Sequence, residues 1–305
     1  WAYEMESAPT YYNFGDYTYD TTNTAGNSVK YLHYEEGIYV GYRWYETANA
    51  ENVVLNDIGN YQYNNRTATT LAADDSNPYG IAGAELKDFD FGDYDSIVQY
   101  AFGTGMSYAD FDIAFDGTPS FDEDTNEFVF NVTVTNTSST YDSKTPVEIY
   151  VEQPYINGGI EKSKVMLAGF DKTDVIPHGE SETLEIRVDR DYIASYDYIT
   201  EEAYVLDAGD YNFFVDWGEY GSHCWANASD TSDVLTWTWE NPSKIVFDED
   251  NKRPGDETAA VNQFDDVNIG DGSYVPSEND MTRDPARGGL AGTFPAVGED
   301  GNGYY

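Results

Sequence analysis

Glu127-Phe128-Val129-Phe130-Asn131-Val132-Thr133-Val134 sets large apolar residues at every even position, with Glu127, Val129, Asn131 and Thr133 between them. A period of two sends alternate side chains to opposite faces of an extended chain, so this stretch is a half-buried strand. The pattern returns in Val147, Ile149 and Val151 against Glu148, Tyr150 and Glu152, and again in Leu184, Ile186 and Val188 against Glu185, Arg187 and Asp189. Pro177-His178-Gly179 and Asp207-Ala208-Gly209-Asp210 supply turn chemistry between the runs. Strands with one apolar face each bury it by packing sheet against sheet, which predicts a β-sandwich. Leu235 to Glu240 is expected to close it. There Trp237 and Trp239 share a face, and two readings stay open for them: core packing, or an exposed aromatic platform.

With 305 residues the chain has room for one large or two ordinary domains. Its 57 Asp and Glu against 15 Lys and Arg leave a net charge of -42. Such a surface repels phosphate backbones and anionic membranes, which excludes a generic nucleic-acid binder and predicts no membrane insertion. It fits either a salt-adapted protein or one living at a cell exterior. A single cysteine, Cys224, forms no internal disulfide and makes a Cys-rich zinc site untenable. His33, His178 and His223 stand apart from any metalloprotease or triad spacing. No metal site and no cofactor is expected. Asp122 to Asn126 and Asp248 to Asn251 lack the Gly and terminal Glu of an EF-hand loop, and four Asn-x-Ser/Thr tripeptides, at Asn65, Asn131, Asn136 and Asn227, are common products of such a composition. The chain opens at Trp1 without Met, shows no signal-peptide pattern or membrane-length apolar run, and reads as an excised, processed or partial product.

Outside the alternating region the signals weaken. Residues 1 to about 30 and 46 to 95 have mostly loop chemistry, rich in Asn, Thr, Tyr and Gly. Glu35-Glu36-Gly37 predicts a turn leading into an extended or short helical piece, and the Glu35-Glu36 pair is expected to be surface charge. Residues from about 241 onward are dominated by Asp, Gly, Asn and Pro and predict an extended acidic tail without a core of its own.

Two segments carry a resemblance. Glu36-Gly37-Ile38-Tyr39-Val40-Gly41-Tyr42-Arg43-Trp44-Tyr45 is followed by Tyr100-Ala101-Phe102-Gly103-Thr104-Gly105-Met106-Ser107-Tyr108. Val132 to Ser138, Pro146 to Pro154, Leu167 to Lys172 and Leu206 to Val215 then come in order. This series resembles the end of the second domain of glycoside hydrolase family three, the β-glucosidase and β-xylosidase family, and the fibronectin type III-like domain that follows it. Ala101 and Thr104 depart from the family's Pro and aromatic residue, and His178 lengthens a turn. The resemblance implies a mainly β chain: an α/β sandwich remnant with loop insertions over residues 1–112, a fibronectin type III-like (immunoglobulin-like) sandwich over 113–242, and a linking or wrapping tail over 243–305.

The same resemblance implies where chemistry is missing. Retaining glycosidases use two carboxylates about 5–5.5 Å apart. The family's nucleophile is the Asp of a Ser-Asp-Trp motif on a barrel, and no Ser-Asp-Trp occurs here; Ser232-Asp233-Val234 is the nearest string. No catalytic residue is assigned. Glu36, Tyr42, Arg43, Phe102 and Tyr108 lie in the signatures and are candidates for a structural anchor or a sugar-site rim, since an Arg among aromatics holds carbonyls or carboxylates with its fixed fork of donors. The expected role is the non-barrel portion of a β-glucosidase-like hydrolase, partnered by a catalytic barrel on another segment or chain. The alternative is a non-catalytic extracellular adhesion, assembly or carbohydrate-binding protein, with glycan binding or self-assembly through the tail. Both place it outside or on the surface of a bacterial or archaeal cell.

Overall fold

The computed structural model describes residues 1–13, 18–22, 28–30, 34–58, 87–216, 235–261 and 280–295. The chain divides into two compact units, Trp1 with Tyr100–Val261, and Ala2–Gln99 with Asn262–Tyr305.

The second of these mixes short elements. Strands β1 (Thr18–Thr22) and β2 (Ser28–Lys30) pair antiparallel. Helix α1 (Tyr42–Ala50) leads to β3 (Val54–Ile58), which pairs antiparallel with β4 (Lys87–Asp90), and α2 (Tyr94–Ile97) follows. Loop chemistry was expected at 52–60, yet Val53, Leu55 and Ile58 are buried on or beside a strand. The register breaks between Leu55 and Ile58, so their spacing hides the two-residue period. The chain from Asp280 to Pro295 returns to this unit: Met281 donates its backbone N–H to the Glu35 carbonyl at 2.8 Å, Arg283 pairs with Glu51, and Met281, Leu290 and Phe294 are buried around a short helix α3 (Gly289–Gly292).

The larger unit is the sandwich. Strands β5 (Phe111–Phe115), β6 (Ser120–Asp122), β7 (Glu127–Asn136) and β10 (Ser181–Asp189) make one sheet, with β10 and β5 on either side of β7 and β6 also on β7. The other runs β14 (Leu235–Asn241), β13 (Gly209–Asp216), β8 (Pro146–Glu152), β9 (Met166–Lys172). A small third sheet joins β11 (Ser195–Asp197), β12 (Ala203–Leu206) and β15 (Ile245–Phe247). Every pairing is antiparallel.

The core is what the alternation predicts. Phe128, Phe130, Val132 and Val134 from β7 meet Val147, Ile149 and Val151 from β8 and Tyr211, Phe213 and Val215 from β13, all buried. Each such side chain contributes about 1.5–3 kcal/mol by leaving water. The turn before β13 is fixed by polar groups: the Tyr211 hydroxyl donates to the Asp207 carbonyl, Asn241 donates to the same carbonyl, and Lys162 pairs with the Asp207 carboxylate while donating to the Pro154 carbonyl at 2.8 Å. Burial pulls the Lys162 ammonium below its ordinary pKa, with Asp207 opposing that pull. No described helix is long and apolar enough to cross a membrane.

Candidate functional site

The first signature is a double turn that opens α1. Gly37 donates its N–H to the Tyr34 carbonyl and Tyr39 to the Glu36 carbonyl, and Gly37 and Gly41 take φ of +51° and +59°. Only glycine adopts that conformation at no steric cost, so both positions are set by the turn itself. The result corrects the expectation of surface charge: Glu35 and Glu36 are 3% and 2% exposed. Folding the turn inward, against segments distant in sequence such as Met281, covers them. Tyr42 and Arg43 occupy the first turn of α1 and are half-buried.

Behind them Trp44 is fully buried. Its indole N–H donates to the Ser7 carbonyl at 2.8 Å, and its ring meets Phe91 edge-on at 5.1 Å and Phe294 at 5.4 Å. One turn on, the Tyr94 hydroxyl donates to the buried Glu46 carboxylate, and burial together with that negative charge pushes the phenol well above its ordinary range. An anchor with aromatic walls and carboxylates inside it is what this segment builds.

The second signature is an exposed loop on the sandwich unit. Met106 and Tyr108 are 92% and 89% exposed, and Phe102 is also open. Gly103 takes φ +83° and passes so close to β8 that a Cβ there would sit 2.3 Å from Glu148 Oε2. Glu148 accepts from the Tyr150 hydroxyl at 2.6 Å, and burial raises its carboxyl above the ordinary range. Ser107 Oγ meets Ser143 Oγ at 3.2 Å and accepts from the Ala109 N–H, and Tyr108 lies 5.8 Å from Tyr141. A cavity of about 750 Å³ opens beside the loop, walled by residues 105–111, Lys144 to Pro146 and Lys172.

The two tryptophans make ring contacts with the core. Trp237 packs against Phe213 and Phe130, Trp239 against Phe128, Tyr211 and Phe121, with ring centroids 5.0–5.7 Å apart. Both are half-buried against the core. Both acidic loops are closed by side-chain turns: Asp122 accepts from the backbone N–H groups of Asp124 and Thr125, and Asp248 from those of Asp250 and Asn251. Asn136 is buried with its amide donating to Tyr141 and Ile176 carbonyls, which removes it as a glycosylation acceptor. Ser232-Asp233-Val234, Asn65, Asn227, Cys224, His33 and His223 lie outside the described residues.

A family model described as the fibronectin type III-like domain matches residues 145–218. The chain carries a fibronectin type III-like domain. It is 37% identical over 122 residues to a β-glucosidase of Ruminococcus albus, a match covering 39% of this chain and 12% of that protein. It is 26% identical over 246 residues to β-glucosidase A of Butyrivibrio fibrisolvens, covering 76% and 23%. Among solved structures, a β-glucosidase from Paenibacillus barengoltzii superimposes with a TM-score of 0.51 at 24% identity, over 80% of this chain and 20% of that one. That likeness concerns the fold. The chain spans less than a quarter of the length of these relatives. The resemblance to glycoside hydrolase family three stands, and it is to a partial module outside the barrel. Sequence reasoning missed the closure of residues 281–294 onto the first signature, because Met281, Leu290 and Phe294 are isolated apolar residues in a polar stretch with no period to reveal them.

Proposed function

We propose that this chain is the support and substrate-rim module of a β-glucosidase-like hydrolase, working with a catalytic barrel on another segment or chain. The observation that carries this reading is the pairing of both signatures with a sandwich like that of the β-glucosidases, in a sequence without Ser-Asp-Trp. Phe102 and Tyr108, on the exposed loop beside the 750 Å³ cavity, are the rim candidates. Glu36, Tyr42 and Arg43 hold the anchor from which α1 starts. The division runs from the turn-and-helix remnant to the sandwich near residue 112; the sandwich keeps β15 beyond residue 243, and residues 280–295 belong with the remnant. A bacterial, extracellular setting fits the -42 charge and the bacterial relatives.

The test is reconstitution. The chain is mixed with a family-three barrel taken from a protein that matches it, and aryl-β-glucoside hydrolysis is followed. Recovery above the barrel alone, reduced by Tyr108→Ala, is the expected result. A barrel whose rate is indifferent to the chain, across several matched barrels, overturns the reading.

A further inference from the structure

In a chain of net charge -42 a cation is expected to find a carboxylate, and Lys162, Lys164, Lys244 and Lys252 each do. Lys144 and Lys172 do not. Both are exposed, and among the described residues neither makes an ion pair. They stand together at one end of the β8–β9 pairing, where Lys172 lies opposite Pro146, two residues along from Lys144. The backbone that carries them is fixed: Thr173 donates its N–H to the Thr145 carbonyl at 3.1 Å, and Thr145 donates its own to the Thr173 hydroxyl at 3.0 Å. The nearby carboxylates are otherwise engaged. Asp171 accepts from the Lys172 backbone N–H at 2.7 Å, and Asp142 is held by the backbone and ring of His178.

The two lysines wall the 750 Å³ cavity together with the second signature loop, which Ser107 Oγ ties to Ser143 Oγ just ahead of Lys144. Ala109 and Phe111, both buried, give this cavity apolar wall, while Met106 and Tyr108 line it standing almost wholly in water. Tyr141, also exposed, lies beside Tyr108. Apolar side chains of this size that are exposed in a group mark a contact surface. Among the described residues of the wall, Asp110 is the one carboxylate against two ammoniums. The cavity is therefore locally positive on a strongly negative chain.

An occupant has to answer both features. A free inorganic anion uses the ammoniums and leaves the rings in water; a neutral apolar ligand uses the rings and leaves the ammoniums idle. An acidic peptide segment with one large apolar side chain uses both, since the side chain enters the cavity and the carboxylates beside it meet the lysines. A second copy of this chain would bring another -42 to the encounter, which like-charge repulsion opposes. This chain spans less than a quarter of its relatives' length, and the barrel of such an enzyme is the partner with surface to offer.

We propose that the Met106–Tyr108 loop, Lys144 and Lys172 form a docking surface for an acidic segment of the catalytic barrel, with one large apolar side chain of that segment seated in the cavity. This rests on the reading of the chain as a barrel's partner and adds the surface that holds the barrel. The strand end and the tied loop are set beforehand, which keeps the ordering cost of docking low.

The full chain is mixed with a matched family-three barrel in the absence of substrate, and its affinity for the immobilised barrel is measured. In parallel, a carbodiimide joins a lysine amine to a carboxylate in contact with it as an amide, itself taking up the water that is lost, and the coupled peptides are mapped by mass spectrometry. Inter-chain peptides joining Lys144 or Lys172 to a carboxylate-bearing stretch of the barrel are expected. Association should weaken at least tenfold for Lys144→Gln with Lys172→Gln, and again for Tyr108→Ala. Lys244→Gln with Lys252→Gln changes the net charge equally and should leave the affinity near that of the parent. The three side chains are exposed, so thermal midpoints should hold. A barrel that associates but couples only through other lysines, or that is weakened alike by both double variants, overturns the proposal and leaves the partnership standing. A barrel that does not associate with the parent overturns both. A docked mixture that does not hydrolyse fails the reconstitution and supports this surface.

Discussion

The β-sandwich of Tyr100–Val261 and the turn-and-helix unit of Ala2–Gln99 close their cores by opposite routes. In the sandwich β7, β8 and β10 announce their buried faces by alternation, and charged groups mostly point out. In the other unit Trp44 is surrounded by Ser7, Phe91 and Phe294, and the buried set includes Glu35, Glu36 and Glu46. The first is assembled from elements that each carry their own half of the pattern; the second exists only once distant segments meet. A local pattern thus survives loss of one neighbour better than an assembled one.

Truncating one fully buried ring in each gives the widest test. Trp44→Ala and Phe213→Ala each remove a fully buried aromatic, and each should cost about 3–5 kcal/mol. Hydrogen exchange separates them. Trp44→Ala should strip protection from α1 and β3 while β7 and β8 keep theirs, and Phe213→Ala should do the reverse. Loss of protection across both units from either change breaks the comparison, because it makes the chain one cooperative structure.

The same contrast explains what the sequence disclosed. Phe128 to Val134 and Leu184 to Val188 were legible because a strand's face follows from period two alone, and their register across β7 and β10 runs unbroken from Glu127↔Asp189 to Thr135↔Ser181. The β-bulge at Ala168, which falls between the partners of Ile149 and Tyr150, was not legible: whether Phe170 points in or out depends on its partner strand. Burial of Glu35 and Glu36 was hidden for a related reason. Two adjacent glutamates before a glycine have the composition of a solvated turn, and only the packing around the turn reverses that. Of the candidate site, the order of the two signatures was readable, whereas the cavity beside Tyr108 comes from Lys144 to Pro146 and Lys172, brought in by the sheet.

A further test probes an ion pair of the sandwich whose ammonium is deeply buried. Lys162→Ala leaves the Asp207 carboxylate without its ammonium, a loss of about 3–5 kcal/mol on the pattern of broken buried pairs. Replacing both partners together, Lys162→Met with Asp207→Leu, should recover much of that loss, although the Asp207 backbone carbonyl must keep its bonds from Tyr211 and Asn241. Denaturant unfolding of the two variants measures it. Equal losses in the single and double variants would place the energy in the turn's shape and remove the ion pair from the account.

The smallest expected effect concerns Glu148, where the sandwich departs from its own rule by shielding a carboxylate on its outward face. Burial raises this group, and the Tyr150 hydroxyl only partly opposes the rise. A carboxyl whose folded pKa lies above its unfolded one binds more protons folded than unfolded, so its contribution is fully present below the ordinary carboxylate range. It is lost as pH rises through the raised value. Glu148→Gln keeps a neutral group of the same shape beside Gly103 and should remove that loss. Thermal midpoints of parent and variant are compared from acid to neutral pH in about 1 M salt, where a Debye length near 3 Å suppresses the field of the other carboxylates. The variant should gain on the parent as pH rises and be no less stable at neutrality. Parallel curves would mean that Glu148 is as well solvated as its neighbours on the open face. The loop at Gly103 would then not be shielding it from water, and the sandwich would keep its rule of charges outward without exception.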